Sequence, residues 1–328
     1  MALPGENNTL TDVAGLRVGQ AHDARVRTGV TVIVPDERAV CAVDVRGGGP
    51  GTRESDALAA HTLVDAVDAV VLSGGSSYGL AAADGVAAEL GASGRGFSLI
   101  AREGVPVSPV VPGAILYDLA NGGEKDWGAE PPYQALGRQA LAAASTSVAL
   151  GAEGAGFGAM AGTHRGGTGS ASIVTEDGFT VAALVCINAF GSVKVPGSEA
   201  YWAWPYEING EFGGARPAPD HAFTPEDWGD AKLNPAPREN TTIACIATDA
   251  ALTPPQAQRL AIMAQDGFAR AIRPVHTPYD GDVVFALSTA RRELGEGGDF
   301  TLTRLGSLAA DCLARAIARG VHAASAAG

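Results

Sequence analysis

The chain has 328 residues, of which 46% are hydrophobic and 18% charged. That composition supports a sizeable core and argues against extended disorder. Its 23 Lys and Arg stand against 36 Asp and Glu, for a formal net charge of −13, so there is no electrostatic ground for nucleic-acid binding.

In chain order, residues 1–16 lack the charged-then-apolar order of a signal peptide, and no apolar run is long enough to span a bilayer. A cytoplasmic protein with no membrane partner is the expectation. Residues 30–34 (VTVIV) and 40–45 (VCAVDV) are β-branched runs and read as strands. Asp68 is followed by a strand, AVVLSGG, that ends in glycine, and an alanine-rich helix follows up to Gly91. Residues 134–145 read as a second helix. The glycine-dense stretch 151–169 has too little side-chain mass for a core of its own. It implies backbone packed closely on a neighbour, or a loop shaped around a ligand. Residues 170–174 and 180–187 read as paired strands about the turn Glu176-Asp177-Gly178.

Residues 195–239 carry seven prolines and three of the four tryptophans, with no clear period. They read as a long exposed loop or linker. Beyond them the order is strand (241–248), helix (254–272), strand (282–288) and helix (301–319). With 44 glycines and 6% aromatics, the layers of such a fold are expected to stack closely.

Four places carry candidate chemistry. Gly75-Ser76-Ser77-Tyr78-Gly79 is a G-x-S-x-G between a strand and a helix, as a nucleophile elbow would be. It would need an acid and a histidine, such as Asp249 or Asp227 with His276. Too few strands precede Ser77 to make it central, and a glycine-assisted helix start is the simpler reading. The six histidines and four cysteines stand singly, without HExxH or CxxC spacing, so no metal and no cofactor are expected. His276 lies near Asp280 and Asp282. It reads as a polar loop residue before a strand, with a carboxylate–imidazole contact as the alternative. Third, Thr241 opens an apolar strand after Asn240. If the Asn240–Thr241 bond broke, the new α-amine (pKa ~7.7–8.0 unperturbed) could activate the hydroxyl on its own residue. Fourth, Asp280-Gly281-Asp282 is a turn whose carboxylates could hold a hydroxyl and an ammonium.

Several separated stretches share one resemblance: DVRGGGPGTRESDAL (44–58), VDAVVLSGGSSYGLAAADGVAAEL (67–90), VPGAILYDL (111–119), ENTTIACIATDAALT (239–253) and ARAIRPVHTPYDGDVVFALST (269–289). Together they resemble the P1 peptidases, which include L-aminopeptidase/D-amidase-esterases, β-peptidyl aminopeptidases and nylon-oligomer hydrolases. The resemblance implies an α+β fold, a single four-layer αββα sandwich. Its layering is similar to that of N-terminal-nucleophile hydrolases, with different connectivity. It implies self-cleavage at Asn240–Thr241 into chains 1–240 and 241–328. Thr241 would then be the nucleophile, with Tyr117 bonded to the reacting group and Asn188 as oxyanion donor. Asp280 and Asp282 would orient Thr241. It further implies an aminopeptidase acting on small peptides or amino-acid amides and esters through an acyl-enzyme, or else a hydrolase of 6-aminohexanoate oligomers. A homo-oligomer, often four αβ units, comes with it. By alignment many relatives have a lysine where this chain has Thr163, with His164 and Arg165 as neighbouring cations. The aromatics of 195–239 would form a pocket rim, and GGSSYG becomes a structural loop. An acyl transferase like the ornithine acetyltransferases, or an uncleaved binding protein, are the other readings.

Overall fold

The computed structural model describes residues 2–222, 224–232 and 240–326. Pro235, Pro237, Arg238 and Glu239, which the sequence reading placed in the linker and cleavage segment, lie outside the described residues. In chain order the strands are β1 (Leu16–Asp23), β2 (Thr28–Pro35), β3 (Val40–Val45), β4 (Thr52–Arg53), β5 (Val70–Ser73), β6 (Gly113–Ile115), β7 (Met160–Ala161), β8 (His164–Arg165), β9 (Gly167–Val174), β10 (Thr180–Asn188), β11 (Thr241–Ala250) and β12 (Val283–Arg292). The helices are α1 (Ala81–Ala92), α2 (Tyr133–Ala142), α3 (Pro254–Ala264), α4 (Asp266–Ala271) and α5 (Gly298–Ala326).

Two five-stranded sheets form, in the orders β1-β2-β5-β6-β4 and β3-β12-β11-β10-β9. Successive side chains on a strand face opposite ways, and that alternation sorts the layers. On β10, Val181, Ala183, Val185 and Ile187 join the cluster that includes Leu313 and Ile317 of α5. Ala182, Leu184 and Cys186 point the other way, into a cluster with Ile33 of β2 and Leu72 of β5. On β2, Val30 and Val32 pack instead with Val86 of α1 and Leu136 of α2. The result is helix, sheet, sheet, helix, the αββα layering expected. Both inner layers are covered on two faces, which is why β2, β10 and β11 are buried along their whole lengths.

The paired strands about residues 175–179 form as expected, with β9 antiparallel to β10. The glycine-dense stretch packs backbone on backbone: a Cβ on Gly169 would lie 1.9 Å from the Ala316 carbonyl of α5. Two expectations need correcting. The helix read over 254–272 is two helices, broken at Gln265, whose buried carboxamide donates to the Asp44 carbonyl at 3.0 Å. The segment from 195 is irregular, but its first part is not exposed. Val195, Ala200, Ala203 and Phe212 are buried, and Tyr201 packs edge-on against Phe212. Arg273, Arg216 and Arg270 lie over Trp202, Trp204 and Tyr206. Among the described residues, no helix is long and apolar enough to cross a membrane.

Candidate active site

Sheet register brings three distant stretches together. Antiparallel pairing of β10 with β11 sets Asn188 opposite Thr241. Parallel pairing of β11 with β12 sets Ile243 beside Val283, so the turn at 280–282 arrives beside Thr241 and Thr242. A parallel pair needs a long crossover, and α3 with α4 supplies it.

Thr241 and Asn240 are both buried. The Thr241 hydroxyl donates to the Asn240 carbonyl oxygen, and the Gly281 N–H donates to that same oxygen at 3.0 Å. The two aspartates are fully engaged. Asp282 Oδ1 accepts from Thr242 N–H at 2.8 Å, and its Oδ2 accepts from His276 N–H at 3.2 Å and meets His276 Nδ1 at 2.9 Å. The carboxylate–imidazole contact therefore forms, and His276 is more than a polar loop residue. Asp280 Oδ1 accepts from Phe190 N–H at 3.2 Å, and Oδ2 accepts from the Thr277 N–H at 2.9 Å and hydroxyl at 2.6 Å. Burial, then the neighbouring Asp282 carboxylate, push Asp280 up to about 6, against the pull of those donors.

The 46–51 loop closes over this turn through its backbone. Gly49 N–H donates to the Asp280 carbonyl at 2.8 Å, and Arg46 N–H donates to that of Asp282 at 3.0 Å. A Cβ on Gly47 would lie 2.2 Å from Asp282 N, so only glycine permits the approach. Asn188 is spoken for differently than expected. Its Oδ1 accepts from Met160 N–H at 2.9 Å and Asn121 Nδ2 at 3.1 Å, and its Nδ2 donates to the Tyr117 carbonyl at 2.8 Å. Tyr117 thus meets Asn188 through its backbone.

A cleft of about 180 Å³ opens onto Thr241, walled by residues 49–51, Ser76, Ser77, Leu80 and Ile115. GGSSYG is therefore a wall of this cleft as well as a structural loop. Gly75 and Ser76 take left-handed backbone, φ 84° and 53°, which turns the chain sharply into α1. Buried Asp118 pins that turn, accepting from Gly75 N–H at 2.8 Å and the Thr28 hydroxyl at 2.6 Å. Burial pushes its carboxyl up, against those donors and the Lys125 ammonium. Among the described residues Ser77 has none of the partners of an elbow triad. Asp249 sits eight residues along β11, about 26 Å from Thr241 at strand rise, and accepts from Thr180 N–H. His276 already meets Asp282. A larger cavity, about 400 Å³, lies at the opposite end of β12 around Arg38 and Arg291 and holds none of these residues.

Thr163 lies exposed in the turn between β7 and β8, and neighbouring His164 pairs with Asp230 at 3.0 Å. A different cation reaches the site: Lys232 Nζ donates to Asn240 Oδ1 at 2.7 Å. Neither Lys232 nor Gly281 was singled out by sequence. No residue-level signal marks Lys232, and only the Asp-Gly-Asp turn marks Gly281.

This fold, together with the family match, defines a peptide hydrolase. Residues 8–328 match peptidase family S58, and the chain belongs to that family. It is similar to an uncharacterized aminopeptidase of Mycobacterium tuberculosis, at 44% identity over 96% of this chain and 93% of that protein. It is also similar to a 6-aminohexanoate-oligomer endohydrolase of Kocuria sp., at 30% identity over 88% of this chain and 77% of that one. Among solved structures it resembles the L-aminopeptidase D-Ala-esterase/amidase of Ochrobactrum anthropi, a variant of the Ntn hydrolase fold. The TM-score is 0.67 at 23% identity, over 99% of this chain and 88% of that chain. Hydrolase, and neither acyl transferase nor binding protein, is the reading these matches support.

Proposed function

We propose that the chain cuts itself between Asn240 and Thr241, and that Thr241 then serves as the nucleophile of an aminopeptidase. The observation that carries this is the scissile amide itself: the Thr241 hydroxyl and the Gly281 N–H both address the Asn240 carbonyl. Attack of Oγ1 on the Asn240 carbonyl carbon places negative charge on an oxygen that already accepts a backbone N–H, as an oxyanion site requires. Collapse breaks the C–N bond, leaves an ester on Oγ1 and frees the Thr241 amine with the hydroxyl's proton. Water then cleaves the ester, giving a carboxylate on Asn240 and a threonine N-terminus.

In turnover that amine takes the proton from Oγ1, which attacks the substrate amide carbon. The acyl group passes to Oγ1, the leaving amine departs with the proton, and water releases the acid. Asp282 fixes the start of β11 through Thr242 N–H. Asp280 ties the turn to Phe190 beyond β10 and to Thr277, and Asn188, opposite Thr241 in the sheet, holds the Tyr117 carbonyl. Substrates would be peptides, amino-acid amides or esters losing their N-terminal residue. The Kocuria relative favours a second reading, hydrolysis of 6-aminohexanoate oligomers. Family resemblance supports a homo-oligomer of αβ units.

The test is the denatured mass of the purified protein beside Thr241→Ala. Two chains, 1–240 and 241–328, are expected from the wild type, and one from the variant. A single intact wild-type chain that nonetheless hydrolyses amides would overturn the proposal.

A further inference from the structure

We propose that Lys232 is a positioning residue for self-cleavage, giving the uncut chain a positive charge at the scissile amide before the Thr241 ammonium exists. The inference rests on the self-cleavage reading above.

The placement is built from both ends of the residue. The Lys232 backbone N–H donates to the Phe190 carbonyl at 3.0 Å, and Phe190 N–H in turn donates to Asp280 Oδ1 at 3.2 Å. Lys232 is thereby fixed to the end of β10, beside Asn188. Its ammonium ends 2.7 Å from Asn240 Oδ1. Asn240 is fully buried, and its Nδ2 has no partner among the described residues. The carboxamide is thus held through its oxygen, by a cation, directly beside the bond to be broken.

Charge explains why a cation belongs there. Asp280 and Asp282 are both buried, with only Gly281 between them. Attack by Thr241 adds a third negative charge, on the Asn240 carbonyl oxygen. The Gly281 N–H offsets part of it as a dipole. In the uncut chain Thr241 N is an uncharged amide, so the ammonium that later faces the aspartates is not yet available. A nearby unit charge in a partly buried site acts at low effective dielectric. Lys232 supplies it, and its grip on the carboxamide also fixes the Asn240 carbonyl relative to Oγ1.

The experiment follows the denatured mass of the full chain against time after synthesis, for Lys232→Met, Lys232→Gln and Lys232→Arg. Thr241→Ala runs alongside, with thermal unfolding of each protein. Gln keeps a hydrogen-bond donor without the charge, and Arg keeps the charge. The proposal expects Met and Gln to slow cutting on the order of tenfold or more, less than the ~10²–10³ lost with a direct oxyanion donor. Arg should restore most of the rate. A purely structural role would let Gln restore it as well as Arg, and that result overturns the proposal. Wild-type speed in the Met or Gln variant also overturns it, as does arrest of a folded Arg variant. If the Met variant fails to fold, the Gln and Arg pair decides. Continued cutting by Thr241→Ala would instead sink the nucleophile reading and leave a different signature.

Discussion

Gly281→Ala is the sharpest probe of the junction. Gly281 does not adopt left-handed backbone, so alanine is tolerated by the main chain and only the added methyl matters. That Cβ would stand 2.7 Å from Thr241 Oγ1 and 2.8 Å from the Gly49 carbonyl oxygen, well inside the ~3.5–4.0 Å of carbon contact. Gly49 cannot easily yield, because its N–H is bonded to the Asp280 carbonyl at 2.8 Å. The Thr241 hydroxyl can, by rotating away from Asn240. Overpacking of this kind costs about 1–3 kcal/mol of stability. Misplacing a reacting atom by ~1 Å costs on the order of 10² in rate. Self-cleavage, followed by denatured mass over time, should therefore slow about a hundredfold, and the urea midpoint should fall. Gly91→Ala is the control. It lies in α1, where a Cβ meets nothing closer than Pro109 at 3.5 Å, and it should cut normally and gain up to ~1 kcal/mol from helix propensity. A Gly281→Ala chain that matures at the wild-type rate would refute the geometry on which the proposed attack depends.

Acid should act through Asp280. Its folded value of about 6 lies above the ~3.9 of an unfolded aspartate, so the folded state binds the proton more tightly. Its contribution to stability is fully present below ~4 and is lost as pH rises to about 6, staying flat above. Its carboxylate form is the one that accepts from Phe190 and Thr277, so the self-cleavage rate should fall by one proton's worth below pH 6. A rate independent of pH between 5 and 7 contradicts this. The four cysteines are free and buried, and burial pushes Cys186 and Cys312 up to about 12. A thiol reagent at pH 8 should label none of them in the native protein and all four after denaturation, and rapid native labelling counts against the core as described.

Much of the fold was readable because its strands declare themselves locally. VTVIV, AVVLS and TVAALVCI are buried on both faces and so are almost wholly apolar, broken by one small hydroxyl residue apiece. β1 carries no local signal because half of it, Gln20 to Asp23, lies partly buried or exposed on a sheet edge, which leaves no β-branched run. The break at Gln265 follows from a tertiary bond to Asp44, 221 residues away, and no local pattern encodes that. The candidate site divides the same way. Thr241 and the two aspartates stand in motifs visible in the sequence, and Asn188 rests on the family resemblance. Gly281 acts through a backbone N–H, residues 47–49 through close approach, and Lys232 through a fold that returns it to Asn240. Ser76 and Ser77 were visible as a motif, but their place on the wall of the cleft depends on Asp118, which only the assembled sheet brings to Gly75.

The order β3-β12-β11-β10-β9 has a mechanical outcome once the chain is cut at Thr241. β11 and β12 would belong to the short fragment, and their neighbours on either side, β3 and β10, to the long one. The short fragment is then a wedge driven into the middle of a sheet, its two strands bonded to each other and to the long fragment along both flanks. Nicking releases one peptide tether and no ladder, so the pieces would migrate together under native conditions as though uncut. Unfolding changes that: refolding becomes a meeting of two molecules in place of one, dependent on concentration, and a protein denatured after maturation would recover far more slowly than its precursor.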